Sequence, residues 1–196
     1  MTDKFDNKGW AIDRTKLWTP DIARSVDDDK LFENQDKNFA CLFYNIDEYR
    51  MGSYAALIGL FESKSRPSLL INLKNQWFDY QGERSLTFYS DILFLRKPAY
   101  NENPNLSGTP FCIFDLNKKV FGFVDFDATS IYYTPIKIQA DLYKFNLDYR
   151  KELESSRIHF PSRHDSIFDL STIKYYSFSQ LDRIMELYVD EKLNAC

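Results

Sequence analysis

Between residues 111 and 126 the chain reads FCIFDLNKKVFGFVDF: two dense apolar arms joined by the polar triplet Asn117, Lys118 and Lys119. A loop of that length and polarity is what antiparallel hairpins use. In the first arm Phe111 and Ile113 fall on one side while Cys112, Phe114 and Leu116 fall on the other. A strand apolar on both sides must be covered on both sides, so the chain has to place layers above and below it. Asp115 is the one residue in that arm that opposes the reading.

Similar runs recur from residue 38 onward: Phe39 to Ile46, Tyr54 to Phe61, Ser68 to Leu73 and Ile92 to Leu95. They are short, β-branched and aromatic, and polar turns separate them, which favours strands over helices. Asn101 to Pro110 is dense in Asn, Pro, Gly and Ser and reads as a loop. Ser130 to Gln139 is extended, with Pro135 confining it to an edge or a bend. Asp141 to Leu153 fits both a two-residue and a helical period, with strand preferred. The end of the chain is helical. Ser177 and Gln180 form a capping box, and Leu181, Ile184, Met185 and Tyr188 repeat as one apolar stripe.

The expected fold is therefore mainly β, built as antiparallel stacked sheets or a partial propeller-like array, with a C-terminal amphipathic helix. In the propeller version, Asn75 to Trp77 followed by the strands at 92–95, 111–116 and 120–126 makes one blade. A chain of 196 residues fits one domain over residues 1–196. Residues 1–37, polar and irregular around Trp10 and Trp18, read as a loosely packed N-terminal segment.

Charge excludes some functions. With 25 Lys and Arg against 29 Asp and Glu, the formal charge is −4, the wrong sign for general phosphate binding, so no nucleic-acid partner is expected. The opening MTDKFDNKGW has acidic residues where a signal peptide needs a basic start followed by an apolar run, and no apolar run reaches the roughly 20 residues of a bilayer-spanning helix, so a soluble cytoplasmic protein without a membrane partner is expected. Cys41, Cys112 and Cys196 are widely spaced and suit reduced thiols. No cofactor is expected.

Three patterns carry candidate chemistry. Asp125-Phe126-Asp127-Ala128-Thr129 reads D-x-D-x-T and is similar to the first motif of haloacid-dehalogenase-type phosphatases, which implies Asp125 as nucleophile and Asp127 as acid-base partner beside Mg²⁺. That motif follows a parallel strand in the family, whereas here it ends a hairpin arm, so strand-end aspartates are the simpler reading. His159 and His164, with Asp165, offer a loop-borne metal site, although the spacing and Pro161 do not form a helical ligand pair. Trp77 and Tyr80 offer an aromatic platform for a small ligand.

The preferred candidate is a partner-binding edge at Asp47, Glu48, Tyr49 and Arg50, because Tyr and Arg anchor interfaces and carboxylates meet basic groups. The plainer reading is a local Glu48–Arg50 ion pair beside a bend at Gly52. Asp27, Asp28 and Asp29 form a second acidic candidate surface. FYNIDEYRMGSYAALIGLFES, followed by RPSLLINLKNQWF, resembles segments of small cytoplasmic immunity proteins of bacterial toxin systems. The resemblance implies a non-catalytic protein that binds and blocks a cognate toxin; it assigns no individual residue.

Overall fold

The computed structural model describes residues 4–17, 29–50, 53–80, 82, 85–96, 111–124, 130–131, 135–150 and 161–194. Its architecture is mainly β, with antiparallel sheets and one C-terminal helix. The first two strands, β1 (Lys4–Asn7) and β2 (Trp10–Asp13), form a hairpin. The second sheet is an up-and-down run of β3 (Lys30–Glu33), β4 (Phe39–Arg50), β5 (Ser53–Glu62) and β6 (Ser68–Tyr80). The third continues with β7 (Leu86–Tyr89), β8 (Ile92–Arg96), β9 (Phe111–Asp115) and β10 (Val120–Val124).

In the fourth sheet β11 (Ser130–Ile131) and β12 (Ile136–Gln139) lie along β13 (Leu142–Arg150), which pairs on to β14 (Pro161–Asp169). The chain then returns: β15 (Tyr176–Ser177) joins the third sheet beside β10, and α1 (Leu181–Asn194) follows.

The sheets stack in chain order, and alternation along each strand explains why. Cys41, Phe43, Ile58 and Leu60 of the second sheet meet Leu93, Leu95, Cys112 and Phe114 of the third in one buried cluster, sealed by Leu181 and Met185 of the helix. The intervening residues Leu42, Tyr44, Leu57 and Phe61 face the first hairpin, where Trp10, Ile12 and Leu17 cover them. Phe94, Phe111, Ile113 and Val124 cover the other side of the third sheet with Tyr143 and Phe145 of the fourth. The two middle sheets are thus buried on both faces, as the apolar arms of the β9–β10 hairpin require. Both cysteines among the described residues, Cys41 and Cys112, lie in the central layer outside any disulfide.

Asp115 is accommodated locally. Buried at the end of β9, it accepts the Lys118 backbone N–H at 3.0 Å, and its other oxygen meets Lys118 Nζ at 2.8 Å. The carboxylate thereby organises the turn, and Lys119 completes it in the left-handed region at φ 54°. On β10, Gly122 is required by close approach: a Cβ there would stand 2.5 Å from Ile173 Cγ2 and 3.0 Å from the Lys174 carbonyl. That gap lets the returning segment lie against the strand before β15 pairs with it.

Several sequence expectations change. Residues 75–77 belong to β6 of the second sheet, and the first strand of the third sheet is Leu86–Tyr89. The N-terminal segment packs tightly where it is described, with Trp10 and Ile12 fully buried and the Trp10 indole N–H donating to Glu33 at 2.8 Å. Residues 162–165 form part of a strand and not a loop. The capping box holds, with Ser177 and Gln180 exchanging both bonds, although it opens a short 3-10 turn (Phe178–Gln180) that leads into α1. Trp18, Cys196 and the loop at 101–110 lie outside the described residues.

Polar bridges tie the layers. The Tyr89 hydroxyl donates to the Pro135 carbonyl at 2.5 Å and accepts the Lys137 N–H at 3.3 Å, linking the third sheet to the start of β12. Tyr44 donates to Asn72 Oδ1 at 2.5 Å, and the Asn72 amide donates to the Leu17 carbonyl at 3.1 Å.

The buried and half-buried phenols make stability sensitive to alkali. Burial pushes Tyr143 and Tyr175 each from 10.0 up to about 12, and it raises Tyr44 as well. Above about pH 10 the unfolded chain releases phenolic protons that the folded chain still holds, so stability is complete below that pH and declines towards pH 12. Tyr143→Phe is expected to lessen this alkaline loss by about 2 kcal/mol, read from urea unfolding near pH 8 and pH 12.

Candidate functional site

Along the second sheet, the register breaks on both sides of β5 at one level. On β4, Asn45 and Ile46 stand against the single residue Ala56, because Tyr44 pairs with Leu57 and Asp47 with Ala55. On β6, Lys74 to Trp77 are all spanned by Leu57, since Phe78 pairs with Ala56 and Leu73 with Ile58. Extra residues in a strand bend it and increase its twist. Two such breaks flanking one strand set the ends of β4, β5 and β6 apart from the rest of the sheet as a three-strand tip.

The hinge of that tip is strained. Asn45 adopts φ 54°, a conformation that favours glycine, and its buried Oδ1 accepts no hydrogen bond among the described residues. Strain and unsatisfied polar atoms of this kind concentrate where a structure serves something besides stability. Beyond the hinge, Glu48, Tyr54 and Tyr80 occupy one cross-strand row. Tyr80 leans inward with its ring 5.1 Å from Phe43, whereas Tyr54 remains 41% exposed. Asp47, Ala55 and Asp79 form the neighbouring row. Asp47 and Glu48 are exposed, so two rows carry three acidic positions, with Arg50 the basic residue at the strand end.

The structure thus brings Asp47, Glu48, Tyr49 and Arg50 to one strand end, with Tyr49 at a further register break between Glu48 and Arg50. For Tyr49 and Arg50 the backbone alone is described, so the expected Glu48–Arg50 ion pair and the bend at Gly52 lie outside the described residues. Tyr54 is the addition that sequence reasoning missed; its place within an apolar run masked an exposed aromatic, and the pairing with Glu48 reveals it.

The other candidates separate. Asp29 is not part of an exposed acidic surface: it is buried and bound to Arg14 at 2.7 Å. Asp27 and Asp28 lie outside the described residues. Trp77 and Tyr80 do not share a platform, since Trp77 packs on the cluster under the first hairpin and Tyr80 on the central one. Asp125 and Asp127 lie outside the described residues; β10, which leads to them, is antiparallel to both its neighbours. His159 lies outside them also, while His164 and Asp165 are placed on β14 opposite Leu147 and Asn146. Among the described residues no three His, Cys, Asp or Glu side chains gather at metal-ligand spacing, and no helix is long and apolar enough to cross a membrane.

Elsewhere a carboxylate serves packing. Burial would raise the Glu33 carboxyl, but the Trp10 indole N–H and the Lys64 ammonium, 2.9 Å away, outweigh it and hold the group below its ordinary value. This triad fastens the first hairpin to the second sheet.

Comparison with protein-family models, with curated proteins and with solved structures gives no match. The tip is therefore interpreted from its own chemistry: an acidic, part-aromatic projection raised on a strained hinge.

Proposed function

We propose that this chain is a non-catalytic protein-binding protein, acting as an immunity protein that occludes a cognate bacterial toxin with the tip of the second sheet. The observation that carries the reading is the paired register break, which sets exposed Glu48 and Tyr54 side by side in one cross-strand row, with exposed Asp47 in the next row on the opposite face of the tip. A partly exposed tyrosine beside a carboxylate has the composition of an interface anchor with a charged rim. The acidic excess favours a partner with a basic surface, for which complementary charge accelerates encounter and fixes orientation.

The test begins with affinity purification of the tagged protein from its native cells and determination of the mass of any complex. A stoichiometric protein whose toxic activity is blocked by the purified chain is the expected result. Combined Asp47→Ala, Glu48→Ala and Arg50→Ala should slow association and weaken the complex, while Tyr54→Ala alone is expected to cost about 2 kcal/mol of binding. Unchanged affinity in these variants would remove the tip from the interface. Mg²⁺-dependent phosphate release that disappears in Asp125→Asn would replace the reading with an enzymatic one.

A further inference from the structure

The edges of the four sheets are not alike. β3 and β7 are four residues each and β15 is two. β6 is long but broken between Leu73 and Phe78. β12 is short, irregular between Lys137 and Gln139, and carries Lys137. Short length, bulges, proline and charged side chains, lysine above all, are the devices that stop an edge from adding strands. β14 is neither short nor bulged, its proline stands at its first position, and its charges at 163 and 165 are of opposite sign. Its nine residues, PSRHDSIFD, run in unbroken register against β13, contain no lysine, and pair with no other strand among the described residues. Ile167 on this strand is 63% exposed.

We propose that β14 is a strand-addition edge at which a second copy of this chain pairs antiparallel, about a twofold axis at His164. The sequence of the strand selects both occupant and register. In a regular strand only every second residue directs its N–H and C=O to the free edge, so antiparallel self-pairing must be centred on a residue. Centred on His164, the pairing sets Arg163 opposite Asp165 of the second copy, and Asp165 opposite its Arg163. The same register places Ser162 against Ser166 and Pro161 against Ile167, each twice.

Neighbouring registers are worse. A centre at Arg163 or Asp165 puts like charges against each other on the axis, which destabilises a strand pair. A centre at Ser166 opposes Asp165 to Ile167 and requires Asp169, whose Oδ1 already accepts the Ser171 N–H at 2.9 Å. The strand is thus self-complementary in one register, as a closed twofold interface requires.

This interface is separate from the tip of the second sheet, so the two readings fail independently. Sedimentation of the full chain over a range of concentrations, with Arg163→Asp, Asp165→Arg and the double exchange, tests it. The wild type should form a dimer. Each single change should raise the dimer Kd about tenfold or more, and the double exchange should return it to within about threefold of wild type. A monomer at every concentration, a dimer indifferent to both single changes, or a double exchange that fails to restore pairing would overturn the proposal. Amide exchange gives a second readout on the unmodified chain: alternate N–H groups of β14 should become protected as concentration rises, and exchange independent of concentration would refute the edge.

Discussion

Asp29→Ala is expected to destabilise the fold by about 3–5 kcal/mol, enough to remove much of a single domain's margin. The carboxylate is buried and binds the buried Arg14 guanidinium at 2.7 Å, so its removal takes the neutralising charge from a cation held away from water. The loss measures the broken pair and not the net value of the pair itself. Exchanging both partners for apolar residues, Arg14→Met with Asp29→Leu, should therefore recover most of it, because the desolvation cost of both charges disappears together. Urea unfolding of the three proteins separates these outcomes. A single variant as stable as wild type would show that Arg14 is compensated elsewhere. The position matters because Arg14 follows β2 and Asp29 precedes β3, so the pair joins the first hairpin to the second sheet.

Phe94→Ala is the second large expectation, at about 3–5 kcal/mol. Phe94 lies between the third and fourth sheets, its ring 4.8 Å from Tyr143 and 6.0 Å from Phe145. Truncation leaves a cavity bounded by strands of two sheets, which cannot both collapse inward without breaking register. Phe94→Leu retains most of the apolar volume and should cost far less. Comparable stability of wild type and Phe94→Ala in urea would mean that the fourth sheet contributes little to global stability.

The strands with strong apolar content were legible from the chain alone. Phe111 to Phe126 already contains its hairpin, its polar turn and the need for cover on both sides, and Asp115 is explained by the lysine three residues later. β14 was not legible because its residues at 162–166 are polar and Pro161 suggests a break; pairing with β13 makes it a strand. The same holds for Leu86 to Tyr89, whose four residues are too few to show a period.

At the candidate site, Asp47 and Glu48 announce themselves by charge. The hinge beneath them does not, because a bulge exists only in the comparison of three strands and no single segment encodes it. Asp29 misleads for the opposite reason. An acidic triplet looks solvated until Arg14, fifteen residues earlier, is brought to it.

The return of the chain to the third sheet has a consequence for synthesis. A growing chain can form its hairpins one after another as they emerge, since each sheet is assembled largely from strands adjacent in sequence. Yet the gap between the second and third sheets is sealed by Leu181 and Met185, and the free side of β10 is occupied by β15. Until residues 176–185 leave the ribosome, the nascent protein carries an open apolar seam and an unpaired outer edge on β10. The returning segment acts as a clasp, and the interval before the clasp closes is when the chain is most exposed to aggregation and most in need of a chaperone.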